Sequence, residues 1–321
     1  MALKYITDVD NSDEYDITFK INSNKKLKTG FVNGLRRIML SDIPIHCISS
    51  TKINFIENTS VFNDDVFIKR RLCLSIIKNN TLKDFDDIII LANKTNETDE
   101  MISVYLSDFT ITQRDKEILN KDFFHFPKSL ITKLKPGQTF NVEATVECGL
   151  GRMHAKYSPV SSAFYHFEYD KDERVYETDK DDYPMKYIFT IESSGQLPSK
   201  QLMMEGIQIL KNKLLKIKND LLKKTGKITE IKKSPTELKG IDIHIIDEND
   251  TIGNLITQYI LDTPDIIYSG YHMPHPLKKL LILRFSYKDS TEETIVKLIS
   301  NTIDKINVLL DDFSKDCGAN L

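Results

Sequence analysis

The sequence predicts an α+β fold built from two copies of a sheet-plus-two-helix unit, the first interrupted by a β-rich insert. Three observations carry this expectation. Apolar residues switch repeatedly between period-2 alternation and helical spacing; a short helix followed by proline occurs twice in one register; and the stretch after the first such helix is dense in strands and turns. A length of 321 residues suits about two folded units at roughly 150 residues each.

Tyr15, Ile17, Phe19 and Ile21 alternate with Asp16, Thr18, Lys20 and Asn22, which predicts a half-buried strand. From Thr29 to Leu40, Phe31, Leu35, Ile38 and Met39 recur at helical spacing, and Pro44 prevents continuation much beyond Asp42. Ile45 to Ile56 reads as a second strand. A β-rich insert over 61–183 follows, with Ile88–Leu91, Met101–Leu106 and an alternating run Phe140, Val142, Ala144, Val146 after a Pro136-Gly137 turn. Its acidic end, Tyr169 to Tyr183, is expected to be a mobile solvated loop.

Tyr187, Phe189 and Ile191 then predict a strand, and a helix opens after Pro198-Ser199 with the stripe Leu202, Ile209, Leu210, Leu214, Ile217, Leu221. A basic, proline-containing linker over 226–240 leads to a strand at Ile241, Ile243 and Ile245. Thr251–Leu261 reads as a short helix stopped before Pro264, and Leu281–Phe285 as a strand. The final helix starts at Ser290, which with Glu293 makes a capping box, and its stripe Ile295, Ile299, Ile303, Ile306, Leu310, Phe313 is close to a heptad seam. The expected domains are therefore 1–60 with 184–225, the insert 61–183, the linker 226–240, and 241–321.

Superposing Leu35 on Leu255 carries Leu40 onto Ile260, Asp42 onto Asp262 and Pro44 onto Pro264 without a gap. A unit with one apolar helical face cannot bury it alone, so the copies are expected to pack on each other about a pseudo-two-fold axis. The expected interface is Phe31, Leu35, Ile38, Leu40, Leu210, Leu214, Leu255, Ile260, Ile299, Ile303, Ile306 and Leu310.

Composition excludes several function classes. A net charge of −3 and pI near 6.2 give no global pull toward phosphate backbones. The basic run Lys211–Lys224 and Lys227–Lys233 lacks aromatic residues for base stacking and reads as a solvated helix face, a weak nucleic-acid contact being the alternative. No stretch approaches ~20 apolar residues and the N-terminus lacks a signal-peptide core, so no membrane contact is expected. Cys47, Cys73, Cys148 and Cys317 lie too far apart for a zinc ribbon or disulfide framework.

His154, Lys156, Tyr157 and Ser158 form a polar cluster, but no nucleophile–base–orienter spacing completes it, and Gly149 and Gly151 do not make a phosphate cradle. It reads as a docking loop or a buried turn. His272 and His275 have no third ligand nearby and read as a contact surface or a satisfied turn. Arg36 and Arg37 sit about 100° apart on a helix whose apolar stripe is already assigned, so at least one should reach a partner; an intramolecular pair with Asp42 or a snorkelling surface arginine is the competing reading. No acidic triad is present, so catalytic, cofactor-binding and metal residues are all expected to be none.

The segment Asn33-Gly34-Leu35-Arg36-Arg37-Ile38-Met39-Leu40-Ser41-Asp42-Ile43-Pro44 resembles the N-A-L-R-R-x-M-L-x-x-x-P helix of the alpha subunit family of multisubunit RNA polymerases, specifically the third-largest subunit of eukaryotic RNA polymerase II. Gly151-Arg152-Met153-His154-Ala155-Lys156-Tyr157-Ser158-Pro159-Val160 is similar to the same subunit's G-x-x-H-A-K-W-S-P-V segment, as is Phe189–Gly195 to the stretch before its long helix. Asp250–Leu255 and Gly270-Tyr271-His272-Met273-Pro274-His275-Pro276-Leu277 resemble the family's small partner, the eleventh subunit. The order is that of a fusion, such as the resemblance suggests for nucleocytoplasmic large DNA viruses.

The resemblance implies two pseudo-two-fold-related alpha-subunit-type dimerisation units acting as a non-catalytic assembly platform in transcription. Its implied partners are the largest and second-largest polymerase subunits and a small zinc-binding subunit resembling the tenth, with DNA and RNA met only through the complex. Arg36, Arg37, His154, Lys156, Tyr157, Ser158, His272 and His275 would be the docking residues. The implied location is the cytoplasm of an infected cell, the virion, or both. A self-contained enzyme and a scaffold unrelated to transcription are the alternatives. Arg71-Leu72-Cys73-Leu74-Ser75-Ile76-Ile77 departs from the family's R-L-G-L-I-P, and the insert has too few cysteines for the zinc loop many relatives carry.

Overall fold

Two short polar runs that show no clean alternation turn out to be strands because each pairs with an apolar neighbour. The computed structural model describes residues 4–321 except 25, 63–64, 80–83, 170–174, 180–181, 225, 235–239, 265, 276 and 288–290. In chain order it forms β1 (Ile6–Asp13), β2 (Asp16–Asn22), α1 (Thr29–Ser41), β3 (Pro44–Asn58), α2 (Asp65–Cys73), β4 (Ile88–Thr95), β5 (Ile102–Tyr105), β6 (Thr110–Gln113), β7 (Lys116–Ile118), α3 (Asn120–Phe123), β8 (Leu130–Leu134) and β9 (Thr139–Leu150). It continues with β10 (Val160–Phe167), β11 (Lys186–Ser193), α4 (Ser199–Lys223), β12 (Thr229–Lys233), β13 (Ile241–Ile246), α5 (Asp250–Ile260), β14 (Ile266–His272), β15 (Leu280–Tyr287) and α6 (Glu292–Asn320).

The chain divides into two compact units, Met1–Met39 with Ala163–Ile191 and Lys200–Leu321, and Leu40–Ser162 with Glu192–Ser199. The first unit holds both copies of the repeat. Its two four-stranded sheets have the orders β1-β2-β11-β10 and β12-β13-β15-β14, congruent position by position. Each copy thus runs β-β-α-β-β-α. The insert enters the first copy between α1 and β10, where the second copy has only the short link from Ile260 to Ile266.

In the other unit, the sheet β3-β9-β4-β6-β7 and the pair β5-β8 enclose a core that includes Ile48, Ile68, Leu72, Phe109, Phe123, Phe124 and Phe140. The segment that departs from the family pattern closes α2: Leu72 and Cys73 are buried, and Ile77 bridges to Phe124.

Four expectations are corrected. The strand at 44–58 does not belong with 1–43; it pairs with β9, from Pro44↔Leu150 to Asn58↔Phe140, and Ile48, with the partly buried Ile53 and Phe55, joins the insert's core. Its expected place in the first copy is taken by β10, which had been assigned to the insert. The linker 226–240 contains β12, paired with β13 from Thr229↔Ile245 to Lys233↔Ile241, so Lys232 and Lys233 sit on an edge strand. The last helix is capped by Thr291, whose hydroxyl accepts from Thr294 N; Ser290, the expected cap, lies outside the described residues. Of the acidic stretch 169–183, residues 170–174 and 180–181 also lie outside them, while Tyr169 bridges to Tyr176 and Thr178 to Pro184.

Candidate functional site

The first candidate is the seam between the two copies. Phe31, Leu35, Ile38, Leu210, Leu214, Leu255, Ile260, Ile299, Ile303, Ile306 and Leu310 are all essentially fully buried, whereas Leu40 is only half-buried. Helix period explains this: Leu40 lies about 100° past Met39, off the stripe. Gly30 N donates to Gln258 Oε1 at 2.8 Å and Lys28 N to Tyr259 Oη at 3.1 Å, so side chains from the end of α5 satisfy donors at the start of α1. The Tyr259 hydroxyl in turn donates to Lys26 O, and burial pushes its pKa well up. Phe31 meets Phe313 edge-on at 5.5 Å between ring centroids, and Tyr5 meets it at 6.1 Å.

The long helices run antiparallel. Lys200 Nζ reaches Gly318 O, Lys211 pairs with Asp311 at 2.5 Å, Lys218 with Asp304 at 2.5 Å, and Lys224 with Glu292 at 3.1 Å. As the residue number rises on α4 it falls on α6. The lysine-rich run is thus a set of ion pairs as well as a solvated face.

Two carboxylates clasp the first strand of the opposite copy. Asp316 Oδ2 on α6 accepts from Tyr5 N and Ile6 N, both at 2.7 Å, where β1 begins. Asp220 Oδ2 on α4 accepts from Ile228 N at 3.1 Å and Thr229 N at 2.8 Å, where β12 begins. Sequence reading missed both. A signal existed: placing Asp220 on Asp316 also carries Leu210, Leu214, Ile217 and Leu221 onto Ile306, Leu310, Phe313 and Cys317 without a gap.

On α1, Arg36 Nε donates to Asn33 Oδ1 at 3.0 Å, and Arg37 lies 3.8 Å from Asp250 of the second copy. Both are half-buried. Asp42, the pairing partner considered for them, instead has Arg152 Nε at 3.9 Å.

The second candidate is the loop around His154. Lys156 and Tyr157 are buried, 8 % and 7 % exposed, which corrects their assignment as displayed docking residues. Both are committed to Glu147: Lys156 Nζ and Tyr157 Oη each donate to its Oε1 at 2.7 Å, Ser49 Oγ to its Oε2 at 2.7 Å, and Ser50 N to Oε1 at 3.1 Å. Lys156 Nζ also donates to Ile48 O, and the Tyr157 ring packs where a side chain at Gly149 would stand.

Burial works against the Glu147 charge, but the donors from Lys156, Ser49 and Tyr157 outweigh it and hold its carboxyl at about 2. Burial works against the Lys156 ammonium, but Glu147 and Tyr157 together push it up, and the Tyr157 hydroxyl is pushed up chiefly by burial. A cavity of about 700 Å³ opens here, lined by residues including Val66, Arg70, Leu74, Met153 and His154. Two of the groups lining it, Lys156 and Tyr157, are pushed further from neutrality, the opposite of what a general acid or base needs. That argues against the enzyme reading.

His154 is exposed and its Nδ1 accepts from Lys156 N; His275 is exposed and its Nδ1 accepts from Leu277 N, both at 3.1 Å. Each ring is a local cap with Nε2 as its remaining polar atom. Exposed His272 ends β14, and half-buried Ser158 donates to Val160 O. Among the described residues no group of three or more His, Cys, Asp or Glu is placed to hold a metal ion. Burial pushes the Cys47 thiol up to about 12, leaving it unreactive.

Comparison with known proteins follows the same division. Two family models, each described as the RNA polymerase Rpb3/Rpb11 dimerisation domain, match residues 23–214 and 240–316. The DNA-directed RNA polymerase subunit Rpo3 of Methanocaldococcus jannaschii is 29 % identical over 59 % of this chain and 83 % of its own length. The RPB3 subunit of Schizosaccharomyces pombe DNA-directed RNA polymerase II is 24 % identical over 59 % and 79 %. An African swine fever virus protein named DNA-directed RNA polymerase RPB3-11 homolog is 27 % identical over 89 % of this chain and 84 % of its own.

Proposed function

This chain belongs to the RNA polymerase Rpb3/Rpb11 dimerisation family and is a structural, non-catalytic subunit of a DNA-directed RNA polymerase, and we propose that it supplies both halves of an alpha-like dimer from one polypeptide. The observation that carries this is the pair of congruent four-stranded sheets, each followed by a long helix whose carboxylate clasps the other copy's first strand. The buried residues of the seam named above form the intramolecular interface. Arg36, Arg37, His272 and His275 of the first unit, and separately His154 and Ser158 of the other, are docking residues for the second-largest subunit and, through the assembled complex, the largest. A small zinc-binding subunit resembling the tenth completes the platform. The match to the African swine fever virus protein over 89 % of the chain supports a viral polymerase, working in infected-cell cytoplasm, carried in the virion, or both.

Charge reversal tests the docking face. Arg36→Glu/Arg37→Glu should leave the melting temperature within a few degrees, since the Asp250 contact is long and solvent-exposed. It should weaken retention of the second-largest subunit by at least ~10-fold, as loss of a charge-assisted interface contact costs about 2–5 kcal/mol. Undiminished co-purification from cells expressing the whole polymerase would remove these residues from the face.

A further inference from the structure

The ion pairs along the seam have a direction. Lys211–Asp311, Lys218–Asp304, Lys213–Glu248, Lys28–Asp262, Lys224–Glu292 and Arg37–Asp250 each take the cation from the first copy and the carboxylate from the second. The sequence of the long helices has the same bias. Six lysines of α4 face two acidic residues on the same helix, while α6 has six acidic residues and three lysines. Lys211 and Lys218 are seven residues apart, as are Asp304 and Asp311, the heptad spacing at which flanking charges select partners beside an apolar seam.

We propose that these one-way pairs are the specificity determinants of the seam, making each copy a partner for the other and a poor partner for a second copy of itself. The inference rests on the pairing of copies proposed above. The apolar stripe and the two aspartate clasps are equivalent in the two copies, so they would serve any pairing. The ion pairs are not equivalent. In the gapless registers that place Leu35 on Leu255 and Asp220 on Asp316, two first copies would set Lys211 opposite Leu215, Lys218 opposite Gln208 and Lys213 opposite Lys28. Only Lys28 would keep a carboxylate, that of Asp42. Two second copies would set Asp311 opposite Asn307, Asp304 opposite Ser314 and Asp262 opposite Glu248. Like pairing thus forfeits attractive contacts and adds repulsive ones, which is how charged flanks discriminate between otherwise similar seams. One chain then fills both positions of the dimer and leaves neither half to self-associate.

The test uses the full chain. Lys211→Glu/Lys213→Glu/Lys218→Glu on one side, or Glu248→Lys/Asp304→Lys/Asp311→Lys on the other, should each lower the melting temperature by on the order of 5 °C at low salt. Both sets together should recover most of the loss, and 1 M salt should shrink all three differences. Losses that simply add would overturn the proposal. A second measurement addresses like pairing. A protease site replacing Thr225 lets the folded chain be nicked between α4 and β12, and native mass spectrometry reads the pairs that re-form after dilution. The nicked wild type should yield unlike pairs only, and a variant with the same six positions neutralised to Gln or Asn should admit like pairs. Equal like-pairing in both proteins overturns the charge rule while leaving the seam intact, whereas halves that part and never re-pair overturn the pairing itself.

Discussion

The two copies share an element order and sheet order yet treat the short helix differently. On α5, Ile256 and Thr257 are buried, Ser269 Oγ of β14 donates to Thr257 O, and the Tyr271 ring lies against Gly253. The register puts Arg36 and Arg37 at those two positions of α1, where both remain partly exposed. In the second copy β14 follows the helix within a few residues and packs onto it; in the first the chain leaves at that point for the insert. An insertion at one connection therefore coincides with a change in residue chemistry on the helix before it. One copy keeps a closed helix, and the other carries two half-buried arginines at the same positions.

The largest expected effect tests whether the copies are equivalent at the seam. Leu35→Asp and Leu255→Asp each place a carboxylate at a position with 0 % exposure. Each should cost at least about 4 kcal/mol and abolish cooperative thermal unfolding of the native chain. If only one of the two does so, the pseudo-symmetry is broken.

Next come the clasps. Asp220→Ala and Asp316→Ala each strand two backbone N–H groups at the start of a strand, and each should cost about 2 kcal/mol by denaturant unfolding. Costs differing by more than about 1 kcal/mol would show that one copy holds the other more than it is held.

The short helices should respond with opposite signs to the same chemistry. A Cβ at Gly253 would stand 2.7 Å from the Tyr271 ring and 2.9 Å from Leu281, so Gly253→Ala should destabilise by about 1–3 kcal/mol. At Gly34 the nearest atom is Thr251 Cγ2 at 3.6 Å, an ordinary contact, so Gly34→Ala should stabilise by up to ~1 kcal/mol through helix propensity. Equal signs in calorimetry would mean that α1 is as tightly covered as α5.

The smallest effect separates the insert from both copies. Glu147 titrates at about 2 in the folded chain against an ordinary 4.5, a depressed value, so its contribution is fully present above about pH 4.5 and is lost as pH falls toward 2. Acid titration followed by denaturant unfolding should show this part of the insert's stability falling away between about pH 4.5 and 2. Glu147→Gln should flatten the insert's pH dependence in that window; an unchanged profile would assign acid sensitivity elsewhere.

What could be read from the residues alone was whatever repeats locally. The stripes of α1, α4, α5 and α6 follow from a 3.6-residue period that needs no knowledge of the partner, and the gapless match of Leu35 to Leu255 announced two copies. The family followed from contiguous segments such as His154–Pro159. Strands β1 and β12 were not legible, because an edge strand exposes polar side chains and owes its existence to hydrogen bonds with a neighbour. Nor could alternation say which sheet takes residues 44–58, since it reports one buried face and not what covers it. The chemistry of Lys156 was settled by the Ile48 carbonyl, 108 residues away, and by Glu147, 9 residues away, and the clasp of Asp316 by strand β1, 310 residues back. Period and propensity are properties of neighbours in sequence. Pairing, burial of charge and the direction of the seam's ion pairs depend on groups that only the folded chain brings within a few ångströms.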